Sequence, residues 1–286
     1  MARDRWPELC EIVKTDDGLP TRSVQHWTQD KLIFWNRYIH ITTSAMVGKR
    51  AWRAGLVYVD LFGGPGICTL RETRKRIPGS PLIAAHAPKP FERIIVCEKD
   101  PDLANACNIR LQTSPARERF SVLKGDCNKL VESVRAMIPD RALTLAFVDP
   151  TGLHARFETI AALSDKGRVD LLLLFADAYD IQRNVEVYYR DPNSNLDQVL
   201  GPGSDWRAKW DCLGNRSSTT VRKMFADLFK DQLARHLDYQ VFGEHTMRCA
   251  RGALYRLIYA SKHVRGLEFW EKATIKDPSG QGRLFD

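Results

Sequence analysis

The fold of this chain is decided by the stretch Val57-Tyr-Val-Asp-Leu-Phe-Gly-Gly-Pro-Gly66. An apolar run ends in the acid Asp60, and a glycine-rich turn follows at once. This order is typical of a buried parallel strand that leads into a ligand-binding loop of a doubly wound α/β fold. Glycine allows a sharp turn and a close approach of the backbone to a ligand. The stretch therefore predicts ligand binding at the carboxyl end of this strand.

Three further apolar runs also lead to an acid. They start at residues 93, 120 and 143, and they deliver Glu98, Asp126 and Asp149. A fifth run, 169–175, has no acid directly at its end. A single such acid is equally well explained as a helix N-cap, but this does not readily explain four in order. The segments between the runs are mostly long enough for crossover helices, so the pattern predicts alternating strands and helices.

The order of glycine loop, acid, Gly-Asp and Asp-Pro resembles the class I S-adenosylmethionine-dependent methyltransferases. The resemblance implies a Rossmann-like methyltransferase fold (α/β), with a mainly parallel central sheet, flanking helices, an N-terminal helix and a C-terminal helical extension. It also implies S-adenosyl-L-methionine as cofactor, with the glycine loop at its methionine part, Glu98 at the ribose and Asp126 beside the adenine. The cofactor-binding residues that it implies are Asp60, Phe62, Gly63, Gly64, Gly66, Glu98, Lys99, Asp126, Cys127 and Asp149.

A closer resemblance covers the chain from about residue 26 to the C-terminus. The segments that carry it are His26-Trp27-Thr28 with Lys31, Asp60-Leu-Phe-Gly-Gly-Pro-Gly66, Gly125-Asp-Cys-Asn128, Phe147-Val-Asp-Pro-Thr-Gly152, Arg183-Asn184, and Leu254-Tyr-Arg-Leu-Ile-Tyr-Ala-Ser-Lys262 with Phe269-Trp270. Together they resemble the three-Cys-motif partner proteins (TcmP), a methyltransferase-like family named for its genomic pairing with a cysteine-motif protein. The resemblance implies a three-Cys-motif protein as partner and leaves the substrate undefined.

Methyl transfer requires few side chains, because the sulfonium is already a good leaving group. Asp149, followed by Pro150, is the candidate to orient or deprotonate the nucleophile. His154 is a second candidate, although a lone histidine is more often structural. The chain lacks the Pro-Cys of cytosine-C5 DNA methyltransferases. It matches only the first two residues of the Asp-Pro-Pro-aromatic motif of amino-methyltransferases, so amine methylation of a nucleobase stays open.

The net charge of +8 permits a polyanionic partner, and we take nucleic acid as the leading substrate class. Four basic residues cluster in the insertion after the glycine loop, for which a solvated loop is the equally weighted alternative. The predicted substrate-binding residues are Arg71, Arg74, Lys75, Arg76, Arg183 and Asn184. A second basic group, Lys262, His263 and Arg265, follows the sixth apolar run, a position that in this fold can also border the substrate cleft.

The chain organisation follows from composition shifts and periodicity. We expect an N-terminal helical segment at 1–50, the methyltransferase core at 51–184, a helical insertion or cap at 185–245, and the last strands and tail at 246–286. Apolar residues make up 44%, enough for a full core. No apolar run approaches the ~18 residues of a membrane span, and no signal region is visible. The scattered cysteines predict a reduced, cytoplasmic protein without a metal site.

Two other functions stay open at this point. One is a non-catalytic subunit of a two-protein system. The other is a nicotinamide-dependent oxidoreductase, whose loop should read Gly-x-Gly-x-x-Gly and here does not. A sliding-clamp contact is also considered, because Gln281-Gly-Arg-Leu-Phe285 resembles the Gln-x-x-Leu-Phe peptides that bind the bacterial DNA clamp. The favoured alternative is that Leu284 and Phe285 fold back onto this protein.

Overall fold

The computed structural model describes residues 5–250, 252–278 and 281, so the clamp-like peptide lies outside the described residues. Helices and strands alternate along most of the chain. In chain order they are α1 (Trp6–Ile12), β1 (Arg22–Val24), α2 (His26–Met46), β2 (Leu56–Asp60), β3 (Ile67–Leu70), β4 (Arg76–Pro78), α3 (Ser80–Ala85), β5 (Arg93–Glu98), α4 (Pro101–Gln112), β6 (Phe120–Lys124), α5 (Cys127–Met137), β7 (Leu143–Val148), α6 (Phe157–Ser164), β8 (Val169–Phe175), a π-helical turn (Asp177–Ile181), α7 (Gln182–Arg190), α8 (Asn195–Leu200), α9 (Trp206–Asp211), α10 (Ser218–Leu237), β9 (Val241–Cys249), β10 (Gly252–Ser261) and α11 (Val264–Thr274).

The centre of the molecule is a seven-stranded sheet with the order β6-β5-β2-β7-β8-β10-β9. The pairs from β6 to β8 are parallel, and β10 runs antiparallel to both of its neighbours. β2, β7 and β8 are buried along their whole length, as expected for strands covered by helices on both faces. This is the predicted Rossmann-like methyltransferase fold, with every one of the five predicted apolar runs confirmed as a strand.

The register brings the carboxyl ends of four strands to one edge of the sheet. Asp60 pairs with both Val96 and Phe147, and Glu98 pairs with Lys124. The chain passes from β6 back to β7, beside β2, and this change of direction creates the crevice in which such sheets bind ligands. The crossover helix α4 begins after Asp100, because the Asp100 carboxylate accepts hydrogen bonds from the first amides of this helix.

The N-terminal helix α2 is buried on most of its surface, and its aromatic residues pack on the sheet as predicted. Trp35 is stacked on Phe147, and its ring N–H donates to the Tyr58 hydroxyl at 3.1 Å. The helix starts at residue 26, within the predicted N-terminal helical segment 1–50. The preceding residues 22–24 form β1, which pairs with β3 in a separate small sheet.

The region after β8 differs from the expectation at several points. Short helices α8 and α9 lie in the segment 191–215, which the composition suggests is a loop or cap. The predicted helical insertion 185–245 is wrong at its end, because β9 begins at residue 241. Its sequence lacks a clear alternation, and pairing with β10 makes it a strand. The segment 266–275, left open between strand and helix, belongs to α11. No helix among the described residues is long and apolar enough to cross a membrane.

Candidate active site

Two adjoining cavities open at the carboxyl edge of the sheet. The first, of about 380 Å³, lies over the ends of β2, β5, β6 and β7. We call it the acidic cavity because Glu98, Asp126 and Asp149 line it. The aromatic cavity, of about 390 Å³, lies between the glycine loop, α2 and the residues after β8. The two cavities share four lining residues: Arg22, Phe62, Asp149 and Thr151. We call these four residues the shared wall. Ligands bound in the two cavities would lie next to each other there.

The glycine loop between the cavities admits no larger residue at its first position. A Cβ on Gly63 would lie 2.2 Å from Cγ1 of Val96, and Gly64 has φ +64. Both residues line the aromatic cavity. Gly66 lines neither cavity, and its carbonyl accepts a hydrogen bond from Gly79 N at 2.7 Å. Gly66 therefore shapes the loop, and its predicted contact with a cofactor has no support in its position.

Glu98 lies in the acidic cavity with only 6% of its surface exposed. One carboxylate oxygen accepts from Gly64 N at 2.8 Å and from Arg22 at 3.3 Å, and the other accepts from Asp100 N at 2.9 Å. A carboxylate has about four acceptor positions, so roughly one remains for a ligand. Lys99 lines the same cavity. Glu98 thus couples the glycine loop to the acidic cavity.

The position of Asp60, the acid before the glycine loop, differs from the prediction. Its side chain is fully buried and lines neither cavity, although we predicted a cofactor contact. Its carboxylate accepts hydrogen bonds from Tyr58 at 3.1 Å and from Phe62 N at 3.2 Å. Burial raises the pKa of Asp60 to about 7. The residue supports the loop from below.

The acid after β6 and its neighbours line the acidic cavity as predicted. Asp126 caps α5 by accepting from Asn128 N at 3.0 Å, so it is both a cavity residue and an N-cap. The Asn128 amide donates to the carbonyl of His154 at 2.8 Å and holds the loop after β7. His154 lines only the acidic cavity. Its predicted role as helper of a nucleophile in the aromatic cavity is not supported by this position.

Lys31 is a site residue that we did not predict. It lies on α2, is 4% exposed, and forms an ion pair with Asp149 at the shared wall. Its ammonium also lies 5.8 Å from the ring centre of Tyr255. A lysine directly before the buried run Leu32-Ile33-Phe34 is the sequence signal that could have indicated it. The pair fixes the carboxylate between the two cavities.

Aromatic side chains form much of the wall of the aromatic cavity. Tyr179 donates a hydrogen bond to the carbonyl of Thr151, and the buried Tyr255 hydroxyl has no partner among the described residues. The π-helical turn that carries Tyr179 is anchored because Asp177 binds Arg222 and Arg256 at 3.2 and 3.1 Å. Pro150, Trp27 and the predicted Arg183 also line this cavity. Asn184 does not, because it donates to Asp180 at 3.0 Å instead.

The predicted basic insertion is the hairpin of β3 and β4, and none of its four basic residues lines either cavity. The assignment of Arg76 as a substrate contact is not supported, because its guanidinium already binds Asp16 and Asp17 at 2.7 and 2.8 Å. Arg71 lies beside Ser23 at 3.3 Å. A phosphate contact stays a prediction for Arg71, Arg74 and Lys75 alone.

The N-terminal strap, residues 14–24, crosses the glycine loop and was not predicted as part of the site. Arg110, on α4, binds the Asp17 carboxylate at 2.7 and 2.8 Å and the carbonyl of Pro65 in the glycine loop at 2.7 Å. Arg22, near the end of the strap, lines both cavities. Strap and glycine loop are therefore held by one arginine.

The basic group after β10 does not border this site, and that expectation is wrong. Lys262 follows the last residue of β10, and β10 runs antiparallel to the core strands. The group therefore lies at the opposite edge of the sheet, beside Leu143 and Val169 at the start of β7 and β8.

Two cysteines line the cavities, and neither is an activated thiol. Burial raises the pKa of Cys68 to about 11 and that of Cys127 to about 12. Both thiols are protonated near neutral pH, so they offer no thiolate nucleophile to a ligand in either cavity.

Comparison with known proteins gives similarities of fold only. No protein-family model and no curated protein matches the chain. Solved structures similar to it include an O-methyltransferase from Bacillus cereus in complex with SAH (10% identity, 92% of each chain, TM-score 0.47). Others are an O-methyltransferase of tomaymycin synthesis from Streptomyces achromogenes in complex with SAM (13%, 92% of this chain and 100% of that one, 0.43) and a protein from Legionella pneumophila (14%, 87% and 95%, 0.48). At these values the similarities assign neither a family nor a substrate.

Proposed function

We propose that the chain is an S-adenosyl-L-methionine-dependent methyltransferase that acts on nucleic acid, in the cytoplasm and beside a three-Cys-motif protein. The observation that carries the proposal is the pair of cavities that meet at Asp149. The acidic cavity offers Glu98 and Asp126 to the adenosine part of the cofactor. The glycine loop, whose Gly63 and Gly64 line the aromatic cavity, offers its backbone to the methionine part.

The chemistry requires alignment more than acid or base groups. The cofactor supplies a methyl group on a sulfonium, which is a good leaving group without protonation. Asp149 accepts a hydrogen bond from an amine or hydroxyl nucleophile in the aromatic cavity and so orients it. Lys31 holds that carboxylate in place. Since Cys68 and Cys127 remain thiols, the proposed reaction is direct transfer to nitrogen or oxygen without a cysteine adduct.

Nucleic acid is proposed because aromatic rings and cations occur together in the aromatic cavity. Trp27, Tyr179 and Tyr255 line it together with Arg22 and Arg183, and aromatic rings and cations are the groups that bind bases and phosphates. The partner protein is proposed on the TcmP resemblance of the sequence.

Binding of the cofactor is tested by calorimetric titration with S-adenosyl-L-methionine, with NAD as the control ligand. We expect binding of the former only. Glu98→Ala should weaken it by roughly 1.5–3 kcal/mol, because hydrogen bonds from the ribose and from Gly64 lose their acceptor. Asp102→Ala, on the exposed start of α4, is the matched control and should leave the affinity unchanged. Equal affinities of folded wild type and Glu98→Ala would reject the assignment.

Transfer is tested with a labelled methyl group on RNA, DNA and protein, with and without the candidate partner. Asp149→Ala should keep cofactor affinity within a few fold and lose turnover by about 100-fold if it removes a general base. One observation favours a second candidate, a non-catalytic subunit, because Lys31 already occupies the Asp149 carboxylate. Cofactor binding without transfer to any substrate, even with the partner present, would favour that second function.

A further inference from the structure

The edge of the sheet opposite the candidate active site contains another cavity. It measures about 290 Å³ and lies beside Leu143, Val169 and Ser261, and we call it the distal basic cavity. Leu143 is the first residue of β7, whereas Asp149 follows its last. Six residues at ~3.3 Å each place the two sites about 20 Å apart. A small ligand in one site therefore does not reach the other.

Four cations surround the distal basic cavity: Lys49, Arg168, Lys262 and Arg265. None of them has a carboxylate within ion-pair distance among the described residues. Lys49, Arg168 and Arg265 are exposed, and Lys262 donates to the carbonyl of Ser164 at 3.3 Å. The carboxylate in the lining is Asp170, which is 8% exposed and accepts hydrogen bonds from Tyr38 at 2.9 Å and Ser261 at 2.7 Å. Because four cations surround the cavity and Asp170 is the carboxylate in its lining, the net charge of the lining is positive and favours an anion.

The wall of the same cavity is apolar and partly aromatic. Met46, Ala51, Trp52 and Phe269 contribute to it. The guanidinium of Arg168 lies 5.4 Å from the ring centre of Trp52, so one cation is held directly above an aromatic face. The matching ligand carries a flat apolar group next to a negative charge.

We propose that the distal basic cavity binds one nucleotide unit of a nucleic-acid strand, with a base against the Arg168–Trp52 pair and a phosphate at Lys49 and Arg265. A free nucleotide has the same chemistry, so the choice of a strand as the source of the nucleotide rests on the proposed function. The site gives the substrate a second contact, about 20 Å from the reacting group.

The test is fluorescence anisotropy with a short labelled single strand, as RNA and as DNA, over a range of salt concentrations. Lys49→Gln with Arg265→Gln removes two exposed cations that form no ion pair with another described residue. We expect about tenfold weaker binding at low salt and a log–log salt slope smaller by about 1 to 2. The matched control, Arg117→Gln with Lys223→Gln, removes two cations with 72% exposed side chains outside the cavity and should change neither value.

Base stacking is tested separately, with Trp52→Phe and Trp52→Ala. The phenylalanine variant should keep most of the affinity, and the alanine variant should lose about tenfold or more. Equal binding by the cavity double variant and the control would overturn the proposal. Loss of adenosine monophosphate binding in the cavity variant with unchanged strand binding would assign the site to free nucleotides and overturn the strand.

Failure of this inference is distinguishable from failure of the proposed function. The cavity variants should bind S-adenosyl-L-methionine like the wild type, because they lie at the other edge of the sheet. If neither the wild type nor the variants bind the cofactor, the proposed function is wrong. The strand titration then still tests whether the distal basic cavity binds a nucleotide. If the wild type binds cofactor but no strand, nucleic acid is wrong for both sites.

Discussion

At the scale of single residues, the ion pair of Lys31 and Asp149 determines the chemistry of the shared wall. The side chains are 5% and 19% exposed, so removing one charge leaves the other poorly compensated. We expect Lys31→Met to lower the free energy of unfolding by about 2–4 kcal/mol. The double variant Lys31→Met with Asp149→Leu should lose less stability than the sum of the losses in the two single variants. Urea unfolding of the four proteins in this cycle measures the coupling.

The exposed pair of Lys14 and Glu11 is the control for that cycle, since its side chains are 66% and 69% exposed. Lys14→Met should change stability by less than about 0.5 kcal/mol. Strictly additive losses at Lys31 and Asp149 would show that the two charges do not stabilise each other.

The raised pKa of Asp60 predicts how the stability of the fold depends on pH. Its folded pKa of about 7 lies above its ordinary value of 3.8, so the folded state holds the proton more tightly than the unfolded state. This group therefore destabilises the fold as the pH rises from about 4 to 7, and its penalty is complete above 7. Asp60→Asn does not ionise, so it should lose less stability than the wild type between about pH 5 and pH 8. Parallel stability curves would contradict the raised pKa.

At the scale of elements, the N-terminal strap is coupled to the glycine loop through Arg110. Hydrogen bonds from Arg110 hold the pKa of Asp17 well below its usual range. We expect Asp17→Ala to speed hydrogen exchange of the strap and to weaken cofactor binding by about tenfold, since a charge-assisted bond is worth about 1.5–3 kcal/mol. Asp16→Ala is the neighbouring control, because Asp16 is 80% exposed and accepts hydrogen bonds from Arg76 and Gly18 N, whereas Asp17 is the acid that Arg110 binds. Unchanged exchange of residues 14–24 in Asp17→Ala would refute the coupling.

At the scale of the whole molecule, the positive charge is divided between two edges of the central sheet. Arg22 and Arg183 line the aromatic cavity, while Lys49 and Arg265 lie at the distal basic cavity. Neither cavity is lined by the four basic residues of the insertion, which we predicted as substrate contacts. A strand that contacted both edges would have to pass around the sheet.

The sequence by itself determined the sheet and the main residues at its ligand-binding edge. Five apolar runs became strands, and Glu98, Asp126 and Asp149 lie where the strand-end pattern predicts. These predictions succeed because burial of a strand, a cap and a glycine turn are local properties, visible within a few neighbouring residues. Asp60 is the exception, since its place at a strand end was predictable but its burial beneath the loop was not.

Only the tertiary structure decided which distant residues complete the site. Lys31 meets Asp149 across 118 positions, Arg22 meets Glu98 across 76, and Arg110 meets Asp17 across 93. Such pairs leave no periodic pattern in the chain, because each depends on how α2, the strap and α4 pack on the finished sheet. The direction of β10 was equally invisible, and it moved a basic group from the expected cleft to the opposite edge. Contacts between remote segments follow from packing, and packing exists only once the whole core has formed.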